Sequence, residues 1–273
     1  MKSTMVREKF TYAHEENGLT KQLVEKTLRD LKPKRCFGFN RVLLVFLRDV
    51  ASELSEIITK LMIKVLKEEK TSEQCKVARI LPLFKKRKKE KTENYRPISN
   101  LCSITKVYEK RLLHRFQEIQ EKEKTDLIGS CQHGFKKNFS TETAFLEIQA
   151  KLSNDCDNGD YAALASLDLT AAFDVVDRIL LKKHLQIMGI PSQLINILDN
   201  WLSNRLAYCK VNKINSEFFE VNFGTIQGSI LGPMLFALFI SPLADITTPT
   251  TCLAKERQRK KHSNAASKKL KSQ

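Results

Sequence analysis

An aspartate near the end of an apolar run is the residue with the clearest potential for chemistry. The run YAALASLDL covers residues 161–169 and carries Asp168, and TAAFDVVD follows as the start of a helix. We expect the run to form a strand buried on both faces, with the Asp168 carboxylate facing a cleft. Mg²⁺ prefers oxygen ligands and leaves room for substrate phosphates, so this carboxylate could hold it. An aspartate that caps the next helix is the alternative, and Asp168 alone does not separate the two.

Basic residues form the second group with a chemical meaning, because they are concentrated in two stretches. The formal net charge is +16, and lysines and arginines crowd residues 85–91 and the tail after Ile246. Phosphates are a suitable counterpart, since their neutralisation releases counterions whatever the base sequence. Nucleic acid is therefore the leading candidate partner, and a solvated basic segment is the alternative.

Strands that could position these residues are predicted from apolar runs and turn signals. VARILPLF at residues 77–84 predicts a strand, the polar stretch 85–94 predicts a turn, and YRPIS completes a basic hairpin. A second hairpin is predicted for residues 207–212 and 217–222. GTIQGS, which begins at Gly224, is a glycine-bearing loop that enters an apolar segment.

Helices account for most of the remaining chain, because apolar residues recur three and four positions apart. One helix is predicted around 54–66 with Ile57 and Leu61 on its apolar face, and another around 104–119. Ser140 and Thr141 are expected to cap a third helix, which bears Phe145. Two more are predicted before Gly189 and around 195–202. The fold class is therefore α/β, helix-rich with a small antiparallel sheet.

Composition narrows the class of protein further. An apolar content of 42% supports a real core, and nine glycines with seven prolines disfavour an all-β fold. The seven cysteines show no CxxC spacing, which predicts reduced thiols in an intracellular protein rather than a zinc site. Residues 230–246 are apolar but short for a membrane span and contain Pro233 and Pro242, so we expect them to be buried.

Four blocks of the sequence occur together in a characteristic order. They are LPLFKK with NYRPISNLCSITKVYEKRLLHR (81–115), QHGFKKNFSTETAF (132–145), ASLDLTAAFDVVDRILLKKHLQIMGIP (165–191) and GTIQGSILGPMLFALFISPL (224–243). Together they resemble the reverse transcriptases of non-LTR, LINE-type retrotransposons, especially the jockey and CR1 kind. The resemblance covers about residues 42–246. It implies a right-hand polymerase with fingers and palm.

The resemblance also implies roles for residues of the third block. Asp168 matches the first catalytic aspartate of the palm, and Leu169 matches the residue whose carbonyl helps to hold Mg²⁺. Phe173 matches the aromatic steric gate that excludes the 2′-hydroxyl of ribonucleotides, with ordinary core packing as the alternative. Asp174 and Asp177 are interpreted as helix-start and packing residues, not metal ligands.

Residues of the first and last blocks correspond to nucleotide-binding positions of the family. Lys85 and Arg96 match fingers residues that contact the incoming triphosphate, for which an ammonium and a guanidinium fork are suitable groups. Gln227 and Gly228 match the loop beneath the nucleotide and the template base. The partners implied are an RNA template, a DNA primer and deoxynucleoside triphosphates.

The domain organisation expected from this resemblance has four parts. Residues 1–45 are a leader of unknown role, 46–160 fingers, 161–246 an incomplete palm, and 247–273 a basic disordered tail that resembles a bipartite nuclear localisation signal. The second aspartate motif of the family, such as YADD or FADD, does not occur in the sequence. We therefore expect this chain by itself not to extend a primer.

Three interpretations are open at this point. The first is a truncated reverse transcriptase domain. The second is a non-enzymatic fragment that binds RNA or single-stranded DNA. The third is a sequence whose residues after Ile246 come from a wrong reading frame or an intron, so that the true product is longer and active.

Overall fold

The computed structural model describes residues 19–32, 38–40, 42–85, 88–161, 163–169, 171–212 and 214–243. Nine α-helices and five strands lie within these ranges. Their order is α1 (Lys21–Arg29), α2 (Leu44–Asp49), α3 (Ala51–Glu68), α4 (Glu73–Lys76), β1 (Val77–Phe84), β2 (Tyr95–Asn100), α5 (Ser103–Glu123), α6 (Thr141–Asp157), α7 (Arg178–Ile187), α8 (Ser192–Leu202), β3 (Arg205–Val211), β4 (Ile214–Asn215), β5 (Phe219–Val221) and α9 (Gly232–Ile240).

Side-chain caps define where several helices begin. The Ser140 hydroxyl accepts from the backbone N–H of Thr143, and the Thr143 hydroxyl accepts from the backbone N–H of Ser140, so α6 starts with a reciprocal capping box. The Asp177 carboxylate accepts from the backbone N–H groups of Ile179 at 2.8 Å and Leu180 at 3.0 Å and caps α7. The predicted cap of α6 and the helix-start role of Asp177 are thus confirmed.

The sheet is small and mixed. β1 lies between β2, to which it pairs antiparallel, and β3, to which it pairs parallel, and β3 in turn pairs antiparallel with β4 and β5. Both predicted hairpins are present. The parallel pairing of β1 with β3 was not predicted, because these strands are far apart in the chain and local spacing carries no information about their contact.

One apolar core joins the N-terminal helices to the rest of the described chain. Val24 and Leu28 of α1 are almost fully buried, and α1 packs against α3 and α5. Trp201 of α8 is completely buried. The segment interpreted as a leader of unknown role therefore supplies part of the core. Among the described helices, none combines the length and apolar character needed to cross a lipid bilayer.

The structure corrects the prediction for residues 161–169. We expected a strand buried on both faces, but this segment has no strand partner among the described residues, and those of its side chains that the structure describes are exposed. Leu167 is 90% exposed and Leu164 is 66% exposed. A strand forms only where a neighbour accepts and donates its backbone hydrogen bonds, and an apolar run alone cannot supply that neighbour.

Two predicted apolar faces are also less buried than expected. On α3, Ile57 and Leu61 are exposed, whereas Ile58 and Met62, which belong to the same predicted apolar face, are buried in the core. On α6, Phe145 is 63% exposed and no residue of the helix is buried. Periodicity predicted both helices correctly but overestimated how much of each apolar face other elements cover.

Candidate active site

The hairpin of β1 and β2 presents the first two candidate residues, Lys85 and Arg96. The Lys85 backbone N–H donates to the Asn94 carbonyl at 2.7 Å, closing the hairpin just before its basic turn. Asn94 Nδ2 donates to the Lys88 carbonyl at 2.7 Å and the Tyr95 hydroxyl donates to the Lys89 carbonyl at 3.0 Å. The side chains of Asn94, just before β2, and Tyr95, its first residue, thereby hold the described part of the turn. Lys86 and Arg87 lie outside the described residues.

Arg96 lies directly opposite Leu83 in this hairpin and is half-buried. Lys85 is exposed at the end of β1. The hairpin geometry therefore places both predicted triphosphate contacts at the same end of the β1–β2 ladder, next to the basic turn.

Phe173 lies where three of the sequence blocks meet. Its ring centroid is 6.1 Å from that of Phe135 in the QHGF block and 5.2 Å from that of Phe236 in α9. Only 6% of Phe173 is exposed. Its surroundings in the structure are thus those of a core residue, the alternative raised for it, and its contact with a nucleotide sugar stays a prediction.

The residue after Phe173 connects this turn to the hairpin. Desolvation raises the pKa of the Asp174 carboxyl, and the positive charge of Lys85 opposes that rise. The positive charge of Lys85 therefore acts on Asp174, although 89 positions separate the two residues in the sequence. Sequence reasoning treated Asp174 as a packing residue and did not predict this interaction.

Gln227 and Gly228 lie in a loop that packs against β2, the strand that carries Arg96. The Ser99 backbone N–H donates to the Gln227 carbonyl at 2.8 Å. Gly228 has a φ of +103°, and a Cβ at this position would lie 2.7 Å from the Ser99 carbonyl oxygen. Glycine is required here both by the backbone conformation and by the close approach to β2.

The structure brings together most of the predicted nucleotide-binding residues, but not all of the predicted site. Asp168 and Leu169 lie on the exposed segment before residue 171, and Leu169 is 58% exposed. In the part of the chain that the structure describes, no three His, Cys, Asp or Glu side chains cluster as a metal site. Among the described residues Asp168 is therefore not part of such a cluster, and its role as a metal ligand stays a prediction.

The histidine of the QHGF block, His133, contacts two side chains of α6. His133 is buried, its Nδ1 lies 2.8 Å from the Thr143 hydroxyl, and its Nε2 lies 2.7 Å from the Glu147 carboxylate. The Gln132 amide donates to the Gly134 carbonyl at 3.2 Å. The two His133 contacts fasten the block to α6, and Phe135 of the same block contacts Phe173.

Sequence reasoning missed two residues that contact the loop carrying Gln227. Glu109 of α5 is completely buried, and its Oε2 accepts from the Ile230 backbone N–H at 2.8 Å. Burial raises the pKa of Glu109 to about 7, although this bond and the nearby Arg205 guanidinium favour its ionised form. Arg178, the first residue of α7, donates to three backbone carbonyls around Gly224.

Glu109 could have been suspected from the sequence, whereas Arg178 could not. Glu109 precedes Leu112, Phe116 and Ile119 by three, seven and ten positions, so it interrupts an apolar helical stripe. Arg178 contacts residues more than 40 positions away, and nothing in its local sequence points to them.

Comparisons with known proteins identify the family of this chain. A family model described as reverse transcriptase (RNA-dependent DNA polymerase) matches residues 85–255. The chain belongs to the reverse transcriptase family. The expected resemblance to jockey-type elements is confirmed by individual relatives.

Three relatives come from Drosophila melanogaster. The probable RNA-directed DNA polymerase from transposon BS is 26% identical over 224 residues, which are 81% of this chain and 24% of that protein. The RNA-directed DNA polymerase from mobile element jockey is 31% identical over 159 residues, which are 58% of this chain and 17% of that protein. The probable RNA-directed DNA polymerase from transposon X-element is 30% identical over 146 residues, which are 54% of this chain and 16% of that protein. This reverse transcriptase chain thus spans about a quarter or less of the length of these relatives.

Proposed function

We propose that the chain forms the nucleotide-binding part of an RNA-directed DNA polymerase of a LINE-type retrotransposon. The observation that carries the proposal is the convergence of the four sequence blocks. Phe173 contacts Phe135 and Phe236, and the Gln227 loop lies on the strand of Arg96. Residues that are distant in the sequence thereby meet around one place where a nucleotide could lie.

Each residue of this cluster would have a defined task in template-directed nucleotidyl transfer. Lys85 and Arg96 would bind the triphosphate, because a compact ammonium and a guanidinium fork both bind phosphate oxygens. Phe173 would lie under the sugar and disfavour a 2′-hydroxyl. Gln227 and Gly228 would support the base pair between the nucleotide and the RNA template.

Asp168 and the Leu169 carbonyl would hold Mg²⁺. Both groups offer oxygen, which Mg²⁺ prefers, and the ion commonly binds through one or two carboxylates together with substrate phosphates. The exposed position of Asp168 is compatible with a ligand that approaches from solvent. When bound, the metal would stabilise the charge of the reacting phosphate.

The test is the binding of a deoxynucleoside triphosphate to the 273-residue chain together with Mg²⁺ and a DNA primer annealed to RNA. We expect the Lys85→Gln and Arg96→Gln variants to bind the nucleotide at least about tenfold more weakly, because each loses a charged contact with phosphate. Lys64→Gln, which changes an exposed lysine of α3, is the matched control. Equal nucleotide affinity in all four proteins would contradict the assignment of the site.

A second candidate function is binding of RNA or single-stranded DNA without catalysis. It is favoured by the exposed lysines of the β1–β2 turn, including Lys88, Lys89 and Lys91, which can contact phosphates without reading bases. The basic tail, residues 247–273, lies outside the described residues. In the proposed intracellular protein, this tail could also act as a nuclear localisation signal.

A salt titration with single-stranded RNA separates the contributions of turn and tail. Affinity should fall steeply with salt, because each phosphate contact adds roughly 0.7 to the slope on single strands. Deletion of residues 253–273 should reduce the slope and leave residual binding by the turn. Binding that disappears with the tail would show that the turn is not a nucleic-acid surface, and salt-independent binding would contradict both assignments.

A further inference from the structure

The loop between β5 and α9 has an irregular backbone. The side chain of Arg178 donates hydrogen bonds to three backbone carbonyls at the start of this loop. Arg178 Nε donates to the Gly224 carbonyl at 3.0 Å, and Nη2 donates to the Val221 and Phe223 carbonyls, each at 3.0 Å. Carbonyls outside regular structure need partners from elsewhere when they are shielded from water. One guanidinium fork therefore fixes three carbonyls at the entry to the loop.

The turn that carries Phe173 holds the same stretch through its backbone. The Gly224 N–H donates to the Val176 carbonyl at 3.0 Å, and the Thr225 N–H donates to the Phe173 carbonyl at 2.7 Å. Gly224 has a φ of +75°, and a Cβ there would lie 2.6 Å from the Phe173 carbonyl oxygen. The entry of the loop thus lies directly against this turn, with Arg178 on α7 close behind it.

A buried carboxyl holds the exit of the loop. Glu109 Oε2 accepts from the Ile230 N–H at 2.8 Å, and the Ser229 hydroxyl helps to lower the pKa of the same carboxyl group. Ser229 Oγ in turn accepts from the Gly232 N–H at 2.6 Å, at the start of α9. The end of the loop is therefore fastened to α5.

Gln227 and Gly228 lie between these two anchors and rest on Ser99 of β2. We propose that Arg178 and Glu109 are positioning residues that hold Gln227 and Gly228 in register with the strand of Arg96. The part of this inference that concerns the nucleotide rests on the proposed function. Neither residue belongs to the set assigned to the nucleotide or the metal, so both would act through the loop.

The geometry explains why an arginine is needed at the entry. Three acceptors spread over four residues require donors on different nitrogens, and a guanidinium presents five donors in a rigid plane. A lysine would supply the charge but only one ammonium nitrogen. We therefore expect the shape of the guanidinium, and not its charge alone, to hold the loop in a single conformation.

The test compares Arg178→Gln and Arg178→Lys with the original chain, and uses Lys183→Gln as the control. Lys183 lies on the same helix and is exposed, so its change removes equal charge without touching the loop. The first measurement is amide hydrogen exchange at Thr225 and Ser99. The Thr225 N–H bonds the loop to the Phe173 carbonyl, and the Ser99 N–H bonds β2 to the Gln227 carbonyl of the loop. The second is affinity for a deoxynucleoside triphosphate on primed RNA, compared with affinity for the primed RNA alone.

We expect both Arg178 variants to exchange these two amides faster, by about tenfold in the glutamine variant, which corresponds to about 1.4 kcal/mol. Nucleotide affinity should fall by about the same factor, whereas affinity for primed RNA should change less than about twofold. Lys183→Gln should match the original chain in every measurement. Exchange in α1 should also stay unchanged, which shows that the fold persists.

Three results would overturn the inference. Unchanged exchange at Thr225 and Ser99 would show that Arg178 does not hold the loop. Full rescue by lysine would show that charge suffices. Faster exchange with unchanged nucleotide affinity would show that the loop does not serve the nucleotide. If the original chain itself binds no nucleotide, the proposed function fails, while exchange still tests the role of Arg178.

Discussion

Replacing Glu109 by glutamine should remove a pH dependence from the free energy of unfolding. Glu109 is completely buried, and burial raises its pKa from the ordinary 4.5 to about 7. The folded chain therefore binds this proton more tightly than the unfolded chain does. Its contribution to stability is fully present below about pH 4.5 and is lost as the pH rises through about 7.

The size of the effect follows from the same two values. The difference between 4.5 and about 7 corresponds to about 3 kcal/mol of stability lost between mildly acidic and mildly alkaline pH. The attraction of Arg205 is already part of this balance, so ionised Glu109 is unfavourable in the fold even beside a buried guanidinium. Glutamine resembles the protonated acid in shape and stays neutral at every pH.

The assay is urea unfolding between pH 5 and pH 8.5, followed by the fluorescence of Trp201. Trp201 is the only tryptophan and is completely buried, so its emission reports loss of the core. The difference in stability between Glu109→Gln and the original chain isolates this group, because other titrations cancel. Glu121→Gln, an exposed position on the same helix, is the control.

We expect the variant and the original chain to be about equally stable at pH 5, and the variant to be more stable by about 3 kcal/mol at pH 8.5. Two results would refute the reasoning. One is a pair of parallel stability curves, which would mean that Glu109 titrates normally in the fold. The other is a variant that is less stable at pH 8.5, which would mean that the ionised carboxylate stabilises Arg205 more than burial penalises it.

Three further substitutions test the site directly. In a polypeptide completed with the remaining palm and thumb of a jockey-type relative, Asp168→Asn should abolish primer extension but leave urea unfolding unchanged, and retained extension would remove Asp168 from the metal site. In the same polypeptide, Phe173→Val should increase ribonucleotide use relative to deoxynucleotide use and lower stability by about 2 kcal/mol; a loss of stability without altered selectivity would make Phe173 a core residue only. Gly228→Ala should cost at least about 1 kcal/mol more than Gly159→Ala, because both have positive φ but only Gly228 lies against backbone atoms; equal costs measured by urea unfolding would contradict the close contact with β2.

The sequence predicted those parts of the fold that depend on local patterns. The strand of residues 77–84, the basic hairpin and the cap at Ser140 all follow from spacing or from residue type at a turn, and the structure confirms each. Exposure of Ile57 and Phe145 did not follow, because periodicity shows which face is apolar but not what covers it. The strand expected at 161–169 failed for the same reason, since pairing depends on a distant partner.

Sequence motifs named the candidate site residues but not the residues that position them. The sequence blocks pointed to Phe173 and Gln227. In the structure Phe173 contacts Phe236 of the fourth block, and Gln227 accepts a hydrogen bond from β2. The interactions of Arg178 and Asp174 could be recognised only in the folded structure, because they join segments tens of residues apart. Long-range contacts of single charged side chains leave no periodic trace in a sequence.

The position of β1 has a consequence for where this polypeptide can be divided. The matched family region begins at Lys85, one residue after β1 ends, yet β1 is the strand that joins β2 to β3. A gene fusion that begins at Lys85 would lack β1, which joins β2 to β3, and α1, which packs against α5. A unit that recombination exchanges with the described core intact therefore starts upstream of the matched family region, at or before Leu19, the first described residue of the core.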